Sequence, residues 1–115
     1  MSRERNVTEE VSVGDIFYNS WGYDQTNVDW YQVTRKTSKT VFMKRIRKNY
    51  KEDGFMSGNC VPVKDSFVPD AQEFGKRPTR YIRQDGTESE DIWVAFSYGA
   101  GCKWDGKPKY ESHYA

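Results

Sequence analysis

The chain has 115 residues, which is enough for one domain but too few for two independent hydrophobic cores. It contains no leucine, while 16% of its residues are aromatic, and Val, Thr, Tyr, Phe and Trp favour strands over helices. With so many rings and a net charge of only +1, the composition excludes a disordered chain and predicts a mainly β domain with little helix.

The N-terminal part is polar before the first strand pattern begins. Residues 1–10 lack apolar periodicity, which predicts a flexible arm that precedes a single domain over residues 11–115. Residues 13–18 then form a turn that leads into a short strand. Residues 20–27 are rich in Gly, Asp, Asn, Ser and Thr, which predicts a loop.

Two longer strands follow this loop. They span residues 29–35 and 39–48, and they meet across residues 37–38. If those two residues form the turn, Trp30 faces Arg45 in a cation–π pair. A register shifted by one residue is the alternative.

The second half of the chain alternates short strands with turn signals. Residues 55–63 predict a fourth strand, which Gly58 and Pro62 make short, bulged or an edge. Residues 70–74 are compatible with a single helical turn. After a turn at 104–108, a final short strand is expected over residues 110–114.

A hairpin in the same half has the clearest turn signal. Asp85 and Gly86 are the residue types preferred in a two-residue turn between twisted strands. Pairing outward from them sets Arg83 opposite Glu88. The next strand, 92–98, places apolar side chains on one face at every second position.

Five to seven short antiparallel strands with aromatic loops predict a small single-domain antiparallel barrel of the SH3-like or OB-like kind. Such barrels bind nucleic acids, peptides and small molecules, so the fold alone does not predict the function. No stretch reaches the roughly 18 apolar residues of a membrane span, and the first residues lack the apolar core of a signal peptide. We therefore expect a cytoplasmic protein with no membrane partner.

Two segments resemble known proteins. Residues 20–33 read SWGYDQTNVDWYQV, and residues 103–110 read KWDGKPKY. Together they resemble a group of small proteins encoded by bacteriophages and mobile elements, whose members share the WGYDQTNVD phrase and a closing WDG-P turn. That group has no settled activity, so the resemblance implies a phage or mobile-element accessory protein acting in the host cell.

The first of these motifs concentrates polar side chains in one loop: Asp24, Gln25, Asn27 and Asp29. Carboxylate and amide oxygens suit a cation, a sugar or a base edge, although the spacing does not match a calcium loop. Asp24, Asn27 and Asp29 can also form the centre of a small hydrolase or ligand-sequestering site. The alternative is that these side chains bond to their own backbone and hold the loop in shape.

A basic segment lies between two acidic ones. Residues 35–51 hold eight basic and no acidic side chains, including Lys44, Arg45, Arg47 and Lys48. These cations can follow a phosphate backbone while aromatic rings stack on bases. The alternative is a solvated face that the acidic segments neutralise, since the isoelectric point, near 7.7, is below that typical of a nucleic-acid domain.

Aromatic residues either replace the absent leucines in the core or form a binding surface. Trp30, Trp104, Tyr110 and Tyr114 are candidates for both roles. Trp21 and Tyr23 are the stronger surface candidates because they lie in a polar loop.

Catalytic signatures are missing from the sequence. His113 is the only imidazole, and with Cys60 and Cys102 it matches neither a zinc pattern nor a disulfide framework. There is no nucleophile elbow and no phosphate loop. We expect a protein that is not an enzyme and holds no cofactor or metal.

These patterns predict a binding module whose leading ligand is nucleic acid. The alternative partner is a host protein, such as a defence factor that the module would inhibit. The candidate binding residues are Trp21, Tyr23, Asp24, Gln25, Asn27, Asp29, Trp30, Lys44, Arg45, Arg47, Lys48 and Trp104.

Overall fold

A computed structural model describes residues 3–22, 25–54, 56–96 and 99–112. These residues form ten strands and one short 3-10 helix, Thr8–Glu10, and include no α-helix, so the mainly β prediction is confirmed. The strands are β1 (Arg3–Asn6), β2 (Ile16–Trp21), β3 (Asn27–Lys36), β4 (Val41–Gly54), β5 (Ser57–Phe67), β6 (Phe74–Lys76), β7 (Thr79–Ile82), β8 (Trp93–Phe96), β9 (Gly99–Lys103) and β10 (Lys109–Ser112).

All ten strands belong to one antiparallel sheet. Its order is β1-β7-β8-β9-β2-β3-β4-β5-β10, and β6 pairs with the first residues of β4. Within the described ranges this order is an open path that ends at β1 and β10. The pairing therefore gives an antiparallel sheet and does not confirm the expected closed barrel.

The sheet packs two hydrophobic cores against opposite faces of β3, because successive side chains of a strand point to opposite sides. Tyr31 and Val33 enter the first core, and Val28 and Trp30 enter the second. The first core is completed by Val7, Val11, Phe17, Val41, Met43, Ile92 and Val94, and the second by Ile16, Ile46 and Cys60. Large rings fill space that leucines occupy in other proteins, since Trp30 is only 1% exposed.

Residues 3–10, which the sequence pattern predicts to be a flexible arm, pack on the sheet. β1 pairs with β7, and Val7 and Val11 are fully buried in the first core. Asn6 Oδ1 accepts hydrogen bonds from the Thr8 amide and hydroxyl, which fixes the turn between β1 and the 3-10 helix. Two valines separated by polar residues show no periodicity, so the pattern does not reveal their burial.

The β3–β4 pairing follows the shifted register rather than the first one. The turn takes residues 37–40, where the Thr37 amide donates to the Thr40 carbonyl. A bulge between Val33 and Arg35 then shifts the pairing by one residue, so Trp30 lies opposite Ile46 and Arg45 lies opposite Tyr31. Trp30 and Arg45 point to opposite faces, so the predicted cation–π pair is wrong.

The β7 hairpin is also shifted by one residue. Ile82 bridges Glu88, and the Arg83 amide donates to the Thr87 carbonyl. The turn has three central residues and ends at Gly86, whose φ of +88° favours glycine. The predicted pairing of Arg83 with Glu88 is therefore wrong.

Residues 70–74 do not form the predicted helical turn. Asp70 has a φ of +64°, which lies outside the right-handed helical region, and β6 begins at Phe74. The turn predicted at 104–108 is confirmed, because Trp104 Nε1 donates to the Lys107 carbonyl and Asp105 accepts from the Lys107 amide. Of the final strand, residues 113 and 114 lie outside the described residues.

Candidate nucleic-acid interface

The first motif places Trp21 at the end of β2 and Asp29 near the start of β3. Trp21 Nε1 donates to Asp29 Oδ2, and Arg45 Nη2 donates to Asp29 Oδ1, each at 2.8 Å. Asp29 is buried, whereas the indole of Trp21 is 42% exposed. Because each carboxylate oxygen accepts one of these bonds, Asp29 holds Trp21 and Arg45 in position.

The rest of that loop is only partly described. Gln25 and Asn27 are half-buried, and Tyr23 and Asp24 lie outside the described residues. Asn19, the cross-strand neighbour of Asp29, is 1% exposed. Neither the Oδ1 nor the Nδ2 atom of its side chain has a hydrogen-bond partner in the described part of the chain. Burying such an amide costs about 1–3 kcal/mol.

The structure separates the four basic candidates of β4. Arg45 pairs with Asp29, and Lys48 pairs with the buried Glu111 at 2.7 Å. Lys44 lies opposite Gln32 and is half-buried. Of the four, Arg47 is the one that is both exposed and without an ion pair to a described side chain.

Glu111 is the centre of a buried polar cluster next to the second core. Its Oε2 accepts hydrogen bonds from Lys48 Nζ and from the Val28 amide, and Lys48 Nζ also donates to the Val28 carbonyl at 2.8 Å. Burial alone raises the pKa of Glu111, but the bonds from Lys48, Val28 and Cys60 outweigh it, so the pKa lies below the usual glutamate value.

Cys60 lies beside this cluster and accepts a hydrogen bond from Trp30 Nε1 at 3.4 Å. Burial and the neighbouring Glu111 raise the pKa of its thiol to about 11. A thiol that stays protonated at neutral pH is a poor nucleophile. Cys60 and Cys102 are both free cysteines, as the sequence predicts.

Trp30 and Trp104 belong to the packing of the second core. Their rings meet edge to face, with centroids 5.6 Å apart. The indole nitrogen of each donates a hydrogen bond inside the protein. These contacts assign both tryptophans a structural role.

A different surface presents exposed polar and aromatic side chains. The register places Lys51 opposite Asn59 and Asn59 opposite Tyr110, which forms one cross-strand row over β4, β5 and β10. The next row contains Asn49 and Val61. These side chains lie on the side of the strands opposite the buried Cys60 and Glu111. We call this surface the outer face, and its members are Arg47, Asn49, Lys51, Asn59, Val61, Pro108 and Tyr110.

The outer face contains a groove of about 480 Å³. Asn49, Lys51 and Asn59 supply polar groups, while Val61 and Pro108 supply apolar surface, and Tyr50 also contributes to the wall. The ring of Tyr110 is 57% exposed. Lys51 and Arg47 are exposed and form no ion pair with any side chain that the structure describes.

Most of the outer face is not among the residues singled out from the sequence. Within β4 alone, alternation separates Arg47, Asn49 and Lys51 from Lys48, and this signal is present in the sequence. Asn59 and Tyr110 join them only through the pairing of β5 with its two neighbours. The pairing of Asn59 with Tyr110 joins residues about 50 positions apart, which a linear pattern does not encode.

Comparisons of the chain with protein-family models, curated proteins and solved structures give no match. The described ranges include no helix that could cross a membrane. They also include no group of three or more His, Cys, Asp or Glu side chains placed to hold a metal ion.

Proposed function

We propose that this protein is a nucleic-acid-binding module and that the outer face is its contact surface. The observation that carries the proposal is the exposed row of Lys51, Asn59 and Tyr110 beside the groove. It combines a cation, an amide and an aromatic ring on one side of a sheet. These are the three groups that contact phosphates, base edges and base faces.

The distribution of charge supports the same surface. Arg45 and Lys48 form ion pairs with carboxylates. The basic segment therefore supplies Arg47 and Lys51 as the cations of the outer face. Among the described side chains, the rows of the outer face contain no acidic residue, and Glu52 and Glu111 lie opposite Gly58 on the other side. A phosphate backbone is therefore attracted by the cations of Arg47 and Lys51.

The wider role follows from the resemblance of the two sequence motifs. We propose a non-enzymatic accessory protein of a phage or mobile element that acts in the cytoplasm of the host cell. The protonated thiol of Cys60 favours binding over nucleophilic catalysis. We also propose that β2, β3, β4, β5 and β10 form an incomplete OB-like barrel, since the Ser112 amide donates to the Thr26 carbonyl and brings β10 back to the start of β3.

A second surface favours a protein partner instead. On β7 and β8, Tyr81 is 40% exposed, and Trp93 lines a cavity of about 360 Å³ together with Glu4 and Arg77. Aromatic rings with charges of both signs are typical of protein interfaces. This face is the candidate contact for a host defence factor.

The nucleic-acid proposal is tested with the double variant Arg47→Ala/Lys51→Ala. Fluorescence anisotropy with a labelled single strand of about 20 nucleotides, between about 50 and 200 mM salt, measures affinity and its salt slope. Each phosphate contact adds roughly 0.7 to that slope, so we expect weaker binding and a slope smaller by about 1.4.

The matched control is Lys39→Ala/Arg77→Ala, which removes the same charges from exposed positions outside the outer face. It should leave the affinity within about twofold of wild type. Equal losses in both double variants would indicate general electrostatics and contradict this surface. Absence of binding by the wild type at about 50 mM salt would reject the function.

A further inference from the structure

The outer face carries few charges for a surface that binds nucleic acid. Arg47 and Lys51 are its two cations, whereas proteins that hold duplex DNA through its backbone use roughly 6–10 phosphate contacts. Two phosphate contacts alone bind weakly at physiological salt. If nucleic acid is the ligand, most of the affinity must therefore come from the bases.

The exposed ring of Tyr110 has the position needed to contact a base. β10 is the last strand of the sheet, so Tyr110 has a strand neighbour on only one side, where Asn59 lies. Bases inside a duplex are stacked on each other and present no free face to a protein ring, whereas the bases of an unpaired strand do.

The groove next to Tyr110 adds contacts suited to the edges of an unpaired base. Val61 and Pro108 give an apolar wall, and the amides of Asn49 and Asn59 each offer a donor and an acceptor. Its volume, about 480 Å³, lies within the usual range of roughly 300–1,000 Å³ for ligand sites.

Building on the proposed function, we infer that the ligand is an unpaired nucleic-acid strand. One base stacks on Tyr110, a neighbouring base enters the groove against Val61 and Pro108, and adjoining phosphates of the strand contact Lys51 and Arg47. Stacking and burial select the unpaired strand, while the two cations attract DNA and RNA alike.

The test compares three probes of about 20 nucleotides: a single-stranded DNA, a single-stranded RNA and a blunt DNA duplex. At about 50 mM salt we expect wild type to bind at least one single strand roughly tenfold more tightly than the duplex. The comparison of the two single strands shows whether the 2′-hydroxyl contributes. It needs no variant, so it decides the inference even if a substitution impairs folding.

Three substitutions test the stacking contact. Tyr110→Ala should weaken single-strand binding by roughly 5- to 150-fold and leave duplex binding unchanged, because it removes one stacked base. Tyr110→Phe keeps the aromatic ring and should stay within about twofold of wild type. Tyr81→Ala, which removes an exposed ring from β7, is the control and should have no effect.

The outcomes distinguish failure of this inference from failure of the proposed function. Equal affinity for single strand and duplex, or a Tyr110→Ala protein that binds like wild type, would overturn the inference. If Arg47→Ala/Lys51→Ala still weakened binding in that case, the proposed function would stand. Failure of all three probes to bind would reject the proposed function itself.

Discussion

The buried carboxylate of Glu111 shows how a single residue ties β10 to the rest of the sheet. It accepts bonds from Lys48 on β4 and from the Val28 amide on β3. Lys48 is partly exposed, so the free-energy cost of desolvating this ion pair is smaller than that of a fully buried pair. This contact adds to the pairing of β10 with β5, which positions Tyr110.

The lowered pKa of Glu111 predicts a specific loss of stability in acid. A carboxyl whose pKa is lower in the folded protein stabilises the fold above its unfolded pKa of roughly 4.3, and this contribution disappears as the pH falls through the folded value. Glu111→Gln should therefore lower the free energy of unfolding at pH 7 by about 1–3 kcal/mol. Urea melts of both proteins between about pH 7 and 3 measure the difference.

Below about pH 4 that difference should shrink, because the wild-type carboxyl becomes protonated. Other carboxylates, such as the exposed Glu10 and the half-buried Glu73, also have lowered pKa values, but they are present in both proteins and cancel in the comparison. A constant difference across the whole pH range would mean that Glu111 is not ionised in the folded state.

At the scale of elements, β5 holds the outer face together because it pairs with β4 on one side and β10 on the other. Gly58 lies at the centre of this arrangement, opposite Glu52 and Glu111. A Cβ atom added there would lie 2.2 Å from the Lys51 carbonyl oxygen. The clash is with backbone, so it can be relieved only by separating β4 from β5.

Gly58→Ala should therefore lower the free energy of unfolding by about 3 kcal/mol and weaken oligonucleotide binding. The control is Gly86→Ala in the β7 turn, where no atom lies within 4 Å and only the positive φ opposes the substitution. It should cost about 1 kcal/mol and leave binding intact. Urea melts with anisotropy titrations check both, and wild-type stability of Gly58→Ala would contradict the pairing.

Alternation and turn residues predict the existence of most strands but not their registers. The β7 hairpin differs from the simplest pairing by one residue, because its turn takes more residues than the most obvious pair. The β3–β4 pairing differs by two residues next to the 37–40 turn and by one residue beyond the bulge between Val33 and Arg35. Val7 stands among polar residues near the start of the chain, so the sequence pattern does not reveal its burial. The side of β4 on which a basic residue lies follows from alternation, but its ion-pair partner does not.

The candidate site shows the same limit. Arg47 and Lys48 were both identifiable as basic strand residues, yet Lys48 contacts Glu111, which lies 63 positions away in the sequence. Asp29 was identified as a loop carboxylate, and its buried bonds to Trp21 and Arg45 make it part of the scaffold. Tyr110 enters the candidate site only through the pairing of β10 with β5.

At the scale of the whole molecule, packing and the proposed recognition of nucleic acid occupy different surfaces. The two cores lie against opposite faces of β3, and the second core and the Glu111 cluster cover the inner side of β4, β5 and β10. The outer side of those strands is left to solvent and carries Lys51, Asn59 and Tyr110. We therefore expect nucleic acid to contact the outer face and to leave the Trp21 loop and β7–β8 free.

Amide chemical-shift mapping shows which surface of the protein the nucleic acid contacts. Titration of the ¹⁵N-labelled protein with a short single-stranded oligonucleotide should shift the amides of residues 47–51, 59–61, 109 and 110 first and most strongly. The amides of β7, β8 and the end of β2 should shift little. Perturbations centred on Trp21 or Trp93, with the outer face unchanged, would contradict the account.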